Sequence, residues 1–227
     1  MNERPYSRIS IQVSLSGYSF ELEEDGKISR SGWLSSDKVF TTKEFLRRYD
    51  RVELSLLTPK AALIPEQFFD PSSARAALAE TVRIRETDLV EYVAVPQHAA
   101  VLVYSNSLDE TLSRVLSQTV LDKAGNPSKV YPELYRLLCG LPSCTEYNKI
   151  LASYMDGCLH LVIAQGKTLL LANAYDAPDF TTAEYYIFLA MKSLQLNPEM
   201  SSIWFRTPVS AEQELSLYRY FKSVERF

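Results

Sequence analysis

Few side chains among the 227 residues are of types that commonly do chemistry at a chosen spacing. The two histidines are His98 and His160. His98 follows Pro96-Gln97 in a turn and is expected at the surface. His160 alternates with Leu159 and Leu161 and so faces away from their side of a strand. A lone strand histidine is more often structural than a general base, and no third partner completes a Cys-His or Ser-His arrangement. Cys139, Cys144 and Cys158 are odd in number and contain no CxxC pair. That pattern points to reduced thiols rather than to a disulfide or a metal site. The acid-glycine pairs Asp25-Gly26 and Asp156-Gly157 read as hairpin turns, which need the positive φ angles those residues tolerate. Thr41-Thr42 and Thr181-Thr182 precede apolar helical patterns, and helix capping accounts for them. No catalytic residue, metal set or cofactor is assigned.

The elements that must position these residues occur twice. An offset of 140 positions lays Met155–Leu189 on Leu15–Tyr49 without a gap. Gly17 then meets Gly157, Gly26 meets Gly166, and Phe40-Thr41-Thr42 meets Phe180-Thr181-Thr182. The chain has only seven glycines, so two coincidences at one offset indicate an internal duplication.

In the first copy, Ile9, Ile11, Val13 and Leu15 alternate with polar residues as in a half-buried strand. Ser16-Gly17 turns into Tyr18–Leu22, Glu24-Asp25-Gly26 turns again, and Lys27–Trp33 is a third strand. A helix capped by Thr41 or Thr42 is expected to carry Phe45, Leu46 and Tyr49 inward. Val52–Leu57 is a fourth strand. Pro59–Phe69 reads as an apolar connection, Pro71–Thr81 as a helix, and Leu89–Val95 and Ala99–Tyr104 as strands around His98. Ser107–Gln118 is an amphipathic helix with Ser107 as its cap. Lys123–Pro127 is the clearest loop, and it divides the chain into lobes 1–125 and 126–227. Tyr131–Cys139 reads as a short helix. The second copy gives strands at Asn148–Met155, Cys158–Ala164 and Lys167–Ala174. A helix follows from Thr182 to about Leu196, with Tyr186, Leu189, Ala190 and Leu194 on its apolar face, and Ile203–Phe205 is the fourth strand. A last helix, Ser210–Val224, places Leu215, Tyr218, Phe221 and Val224 on one stripe. The aromatic run Tyr185-Tyr186-Ile187-Phe188 faces either core or a partner.

Composition narrows the classes. With 46% hydrophobic and 23% charged residues and a net charge of −4, the chain reads as a globular domain with a sizeable core. Lysines and arginines are scattered, so no basic face favours nucleic acid. No apolar run approaches the roughly 20 residues of a membrane span, and MNERPYSRIS lacks the apolar run of a signal peptide. A cytoplasmic location is expected.

Three meander strands followed by a helix and a fourth strand parallel to the first resemble the ribonuclease H-like unit. Two such units resemble the actin-like ATPase fold. The segments LHLVIAQGKTLLLANAY, DFTTAEYYIFLAM, LNPEMSSIWF and AALIPEQFF are also similar to an uncharacterised domain family of Bacteroidetes-type bacteria with this fold. The expected architecture is therefore α/β, actin-like, with two ribonuclease H-like lobes. The resemblance implies phosphate-holding Asp-x-Gly turns at the first hairpin of each lobe. The matching positions are Leu15-Ser16-Gly17 and Met155-Asp156-Gly157. Their glycines are kept, but both carboxylate positions are apolar, and Asp156 stands one place late. Ser16, Gly17, Asp156 and Gly157 are thus the candidate nucleotide contacts, and they read better as turn residues. The glycine pair that such a fold sets beside adenosine after the last strand is replaced by Phe205-Arg206-Thr207-Pro208. The converging carboxylates of a two-metal nuclease are missing from Ile9–Leu15 and Asn148–Met155. The expectation is a non-catalytic module acting through an unidentified protein partner or as a homodimer; the alternative is a divergent ATP-binding switch or phosphotransferase.

Overall fold

A computed structural model describes residues 6–106, 108 and 110–226. Strands β1 (Ser7–Val13), β2 (Gly17–Glu24) and β3 (Lys27–Arg30) form a meander, and a short β4 (Leu34–Ser35) pairs back on β2. Two 3-10 turns lead to β5 (Arg48–Tyr49) and β6 (Arg51–Leu56). Next come β7 (Ala61–Pro65), α1 (Ala74–Ala79), β8 (Leu89–Val95) and β9 (Ala100–Asn106). They are followed by α2 (Glu110–Thr119), β10 (Leu121–Asp122), β11 (Val130–Pro132) and α3 (Glu133–Gly140). The chain closes with β12 (Asn148–Met155), β13 (Cys158–Gln165), β14 (Thr168–Asp176), α4 (Phe180–Ser193), β15 (Ser202–Phe205), α5 (Ala211–Tyr218) and β16 (Ser223–Arg226).

These elements form two compact units, each discontinuous in sequence. The first joins residues 1–57 to 107–132, and the second joins 58–106 to 133–227. The expected cut after residue 125 falls inside the first unit, between β10 and β11.

In the first unit the sheet runs β11-β6-β1-β2-β3. β1 pairs antiparallel with β2 and parallel with β6, and β11 extends the sheet parallel to β6. In the second unit the sheet runs β16-β15-β12-β13-β14, with β12 parallel to β15 and β15 parallel to β16. The two strand orders and directions are the same. Parallel pairing of first and fourth strands follows from a crossover that must carry the chain back along one face. A separate three-stranded sheet, β7-β9-β8, with α1 against it, belongs to the second unit.

Several elements differ from the sequence expectation. The first crossover is not an α-helix. It is two 3-10 turns, Ser36–Phe40 and Lys43–Leu46, because only residues 36–47 separate β4 from β5. Phe45 is buried against Tyr18 and Phe20, but Leu46 is 72% exposed and Tyr49 lies in β5. Thr42 precedes the second turn without capping it; its hydroxyl instead donates to the Lys38 carbonyl and meets the Tyr18 hydroxyl. In the second unit Asp179, not Thr181 or Thr182, caps α4 by accepting from the Thr182 amide at 2.7 Å. The buried face of α4 is Ala183, Ile187, Ala190 and Met191; Leu189 and Tyr185 are exposed. Tyr186 stacks on Tyr175 and Phe188 on Phe221, so the aromatic run is split between core and surface.

Residues 61–65, expected as a connection, form β7 and pair with β9; Pro65, which cannot donate a backbone hydrogen bond, stands at its end. The last helix ends at Tyr218, and Val224 lies in β16 instead. Leu215 and Tyr218 are exposed, whereas Leu217, Phe221 and Val224 are buried. The helical stripe fails because a strand that alternates sides takes over after residue 222. Ser107, the expected cap of α2, lies outside the described residues. Among the described residues, no helix is long and apolar enough to cross a membrane.

Candidate functional site

The two hairpins that the sequence singles out are built differently. In the first, Val13 pairs with Tyr18, and residues 14–16 form the loop before Gly17 opens β2. The Ser14 amide donates to the Gly17 carbonyl at 2.8 Å, and the Ser16 amide donates to Ser14 Oγ at 3.2 Å. Gly17 also pairs with Ser35 of β4. A Cβ on Gly17 would overlap the Leu34 carbonyl oxygen and sit 3.1 Å from Trp33 Nε1. Glycine is required there by close approach of a neighbouring backbone.

In the second hairpin Met155 pairs with Cys158, so the loop is Asp156 and Gly157 alone. Their φ angles are 50° and 69°, the left-handed pair that a tight two-residue turn demands. A Cβ on Gly157 would meet only ordinary contacts, at 3.7 Å from Ala177 O and Pro178 Cα. Here it is the backbone angle that requires glycine. The registers differ as well: Ile11 faces Phe20, whereas Leu151 faces Val162, two places beyond the position that the 140-residue offset assigns. Ser16, Asp156 and Gly157 thus stand in the two turns, and Gly17 lies against the Leu34 carbonyl. Leu15, at one carboxylate position, is exposed, and Met155, at the other, ends β12.

The loop after β15 holds a buried polar cluster. Arg206 Nη1 donates to both oxygens of Glu133, at 2.8 and 2.7 Å. Glu133 is fully buried, and the Arg206 side chain is 9% exposed. Burial alone would raise the Glu133 pKa, but the guanidinium beside it holds the carboxyl below its usual range. The Arg206 amide donates to the Ala152 carbonyl at 2.9 Å. Thr207 Oγ1 accepts from the Tyr154 amide at 2.9 Å and donates to the Tyr154 carbonyl at 3.1 Å. Phe205-Arg206-Thr207 is therefore tied to β12 and to the start of α3 by backbone and side-chain bonds. The resemblance named this stretch only for the glycines it lacks. A signal for the pair did exist in the sequence: Glu133 shares the helical stripe of Leu137 and Leu141, both buried, and an acid on an apolar stripe needs a cation.

His160 is fully buried. Its Nε2 donates to the Thr58 carbonyl at 3.1 Å and lies 3.6 Å from Cys158 Sγ. Among the described residues, Nδ1 has no hydrogen-bond partner. Burial lowers the His160 pKa and raises that of the Cys158 thiol, so the pair is neutral and shielded rather than a thiolate–imidazolium couple. The structural reading of His160 agrees with this environment. His98, expected at the surface, is half-buried, and its Nε2 is shielded from solvent. All three cysteines are free thiols. Among the described residues, no group of three His, Cys, Asp or Glu side chains is placed to hold a metal ion.

A comparison with functionally curated proteins finds no match. Among solved structures, the chain is similar to a protein of unknown function with an actin-like ATPase fold from Bacteroides thetaiotaomicron VPI-5482. The identity is 19% and the TM-score 0.69, over 97% of this chain and 90% of that one. It is also similar to a structure described as the PilM-PilN type IV pilus biogenesis complex, with 12% identity and a TM-score of 0.55, over 97% of this chain and 88% of that one. The fold is thus the actin-like ATPase fold, with two ribonuclease H-like sheets. A family model described as "Protein of unknown function (DUF3822)" matches residues 5–224, and the chain belongs to that family.

Proposed function

We propose that this chain is a non-catalytic actin-like module that acts through protein contacts, as a scaffold or adaptor, in the cytoplasm. The observation that carries the reading is the Arg206–Glu133 pair with the reciprocal Thr207–Tyr154 bonds. They fix a charged, hydrogen-bonded loop where the resemblance sets the small residues that lie beside adenosine. The hairpins support the same reading, since both carboxylate positions are apolar and both glycines have structural reasons. The similarity to the PilM-PilN complex, a protein assembly, makes a protein partner the natural occupant of this fold's surface. Three free thiols suit a reducing compartment. The rival reading, a divergent ATP-binding switch or phosphotransferase, rests on the retained Gly17 and Gly157 alone.

The test is purification of the tagged full chain from its native cell at its natural level, with and without MgATP. A stoichiometric protein partner retained equally in both conditions is expected. Release of the partner by MgATP, or hydrolysis of ATP by the purified chain, would contradict the proposal.

A further inference from the structure

The three-stranded sheet of the second unit ends in β8. Two bonds just beyond the paired strands fix which backbone groups face its open side. The Glu66 amide donates to the Ala99 carbonyl at 2.8 Å, and the Ser105 amide donates to the Lys60 carbonyl at 2.9 Å. Backbone direction alternates along a strand, so Ala99, Val101, Val103 and Ser105 turn their groups toward β7. Ala100, Leu102, Tyr104 and Asn106 turn theirs toward β8, where they meet Val95, Val93, Glu91 and Leu89. The N–H and C=O groups of Val90, Tyr92 and Ala94 therefore point outward. Among the described residues β8 pairs with β9 alone. Tyr92 is 46% exposed, and Ala94 is exposed as well.

Proteins blunt such edges with charges, proline, bulges or very short strands, and the other edges of this chain follow that rule. β3 has four residues including Lys27 and Arg30, and β16 has four including Glu225 and Arg226. β7 and β11 end in Pro65 and Pro132, β14 slips register opposite Ile163 and Ala164, and β4, β5 and β10 are two residues long. β8 has seven residues in unbroken register, with no lysine, arginine or proline. Its single charge, Glu91, accepts from the Tyr104 hydroxyl at 2.9 Å and from the Asn106 side-chain amide at 3.1 Å. We propose that β8 pairs antiparallel with β8 of a second copy of this chain, about a twofold axis at Tyr92. In that register Tyr92 lies opposite the second copy's Tyr92 and Val90 opposite its Ala94, each pair exchanging two hydrogen bonds. Self-complementarity favours a second copy over the strand of another protein. Branched Val90 meets small Ala94, Glu91 faces Val93 rather than a like charge, and one twofold satisfies both edges without opening a new one. The pairing does not depend on the scaffold reading, because the purified chain alone tests it.

The full chain is followed by sedimentation velocity from about 1 to 300 µM, a range that brackets the weak association of a small interface. A monomer–dimer equilibrium is expected. Tyr92→Lys sets two like charges opposite each other at the axis and should weaken the dimer about tenfold or more. Tyr92→Pro should do the same, since it removes an outward N–H and no bond to β9. Unchanged melting temperatures check that both variants are folded. In a Cys139→Ser background, oxidation should link Tyr92→Cys dimers, whose facing Cα atoms lie about 5.5 Å apart, within disulfide reach. Leu89→Cys should stay unlinked, because its two copies stand roughly 20 Å apart along the paired strands. A chain monomeric throughout the range would overturn the proposal and leave the edge to a strand of another protein. A dimer that Tyr92→Lys leaves intact, or equal cross-linking through Leu89→Cys, would overturn it too.

Discussion

In the first unit the chain turns from β1 to β2 through residues 14–16 and crosses to β6 on two 3-10 turns. In the second it turns through Asp156-Gly157 and crosses to β15 on the 14-residue α4. The same strand order therefore rests on two different sets of local solutions. Strand order depends on which apolar faces must be covered and on the hand of the crossover, and both tolerate changes of length. Turns answer to local sterics, so Gly17 is held by the Leu34 carbonyl and Gly157 by its own φ angle. Glycines that coincide at one offset need not share a role. That is the lesson for reading a phosphate loop into either hairpin.

The outermost strands offer the largest test of this comparison. β16 stands in the second sheet where β11 stands in the first, each parallel to the strand after the crossover. Truncation at Pro208 removes β16 with buried Leu217, Phe221 and Val224 and is expected to abolish cooperative unfolding. Phe221→Ala should cost about 3–5 kcal/mol, as large-to-small changes at buried rings do. Leu215→Ala, at a site 62% exposed, should stay within about 0.5 kcal/mol. Denaturant melts measure both, and equal costs would show that the helical stripe of the sequence reading describes α5 better than the packing does.

Breaking the Arg206–Glu133 pair comes next. Arg206→Met leaves a buried carboxylate without its cation and should cost about 3–5 kcal/mol, whereas the double change with Glu133→Leu should recover much of that. Among the described residues no such ion pair stands at the same position after β6, where Leu57 donates its amide to the Val13 carbonyl as Arg206 does to that of Ala152. A small loss in Arg206→Met would mean that the loop after β15 is held by Thr207 alone.

The hairpins differ by less. Gly17→Ala must displace the β4 backbone, and overpacking of this kind costs about 1–3 kcal/mol or more. Gly157→Ala pays only the left-handed backbone penalty of roughly 1–2 kcal/mol. Equal effects would erase the distinction drawn between the two turns.

The smallest expected effect is a pH dependence confined to the second unit. His160 has its folded pKa lowered by burial, with Glu133 and the Thr58 carbonyl opposing. The unfolded chain takes up a proton near the ordinary pKa of about 6.5, while the folded chain resists it. The stability from neutral His160 is complete above about pH 6.5 and declines as pH falls toward the lower folded value. His160→Gln, which keeps a donor for Thr58, should flatten the fall in melting temperature between about pH 7.5 and 5.5. His98 titrates in the same direction, so the variant must be compared with His98→Gln. An unchanged slope in the His160 variant would place the dependence elsewhere.

The sequence made the sheets legible because their strands are short apolar runs bounded by turn residues. Asn148–Met155 emerges with both ends as expected, and Leu89–Val95 likewise. The first crossover was illegible because Phe45 suits a helix and a 3-10 turn equally, and the shortness of its span is known only once β4 and β5 are placed. Val224 was misread because Phe221 and Val224 are three apart, a spacing that fits a helix until Ser223 pairs with Ser202. At the candidate site the missing carboxylates were plain at Leu15 and Met155. The Arg206–Glu133 pair was not, since 73 positions separate partners that only the fold brings together.

The central claim, that this actin-like chain does not work by binding nucleotide, is tested most directly by its melting temperature with millimolar MgATP. A ligand at 100 times its dissociation constant adds about 2.7 kcal/mol of stability. For a chain of this size that is a rise of roughly 5–10 °C, at about 2–4 °C per kcal/mol. The account expects no rise. A rise of several degrees that is lost in Gly157→Val, with the variant still folded, would contradict it and restore the hairpins as a nucleotide site.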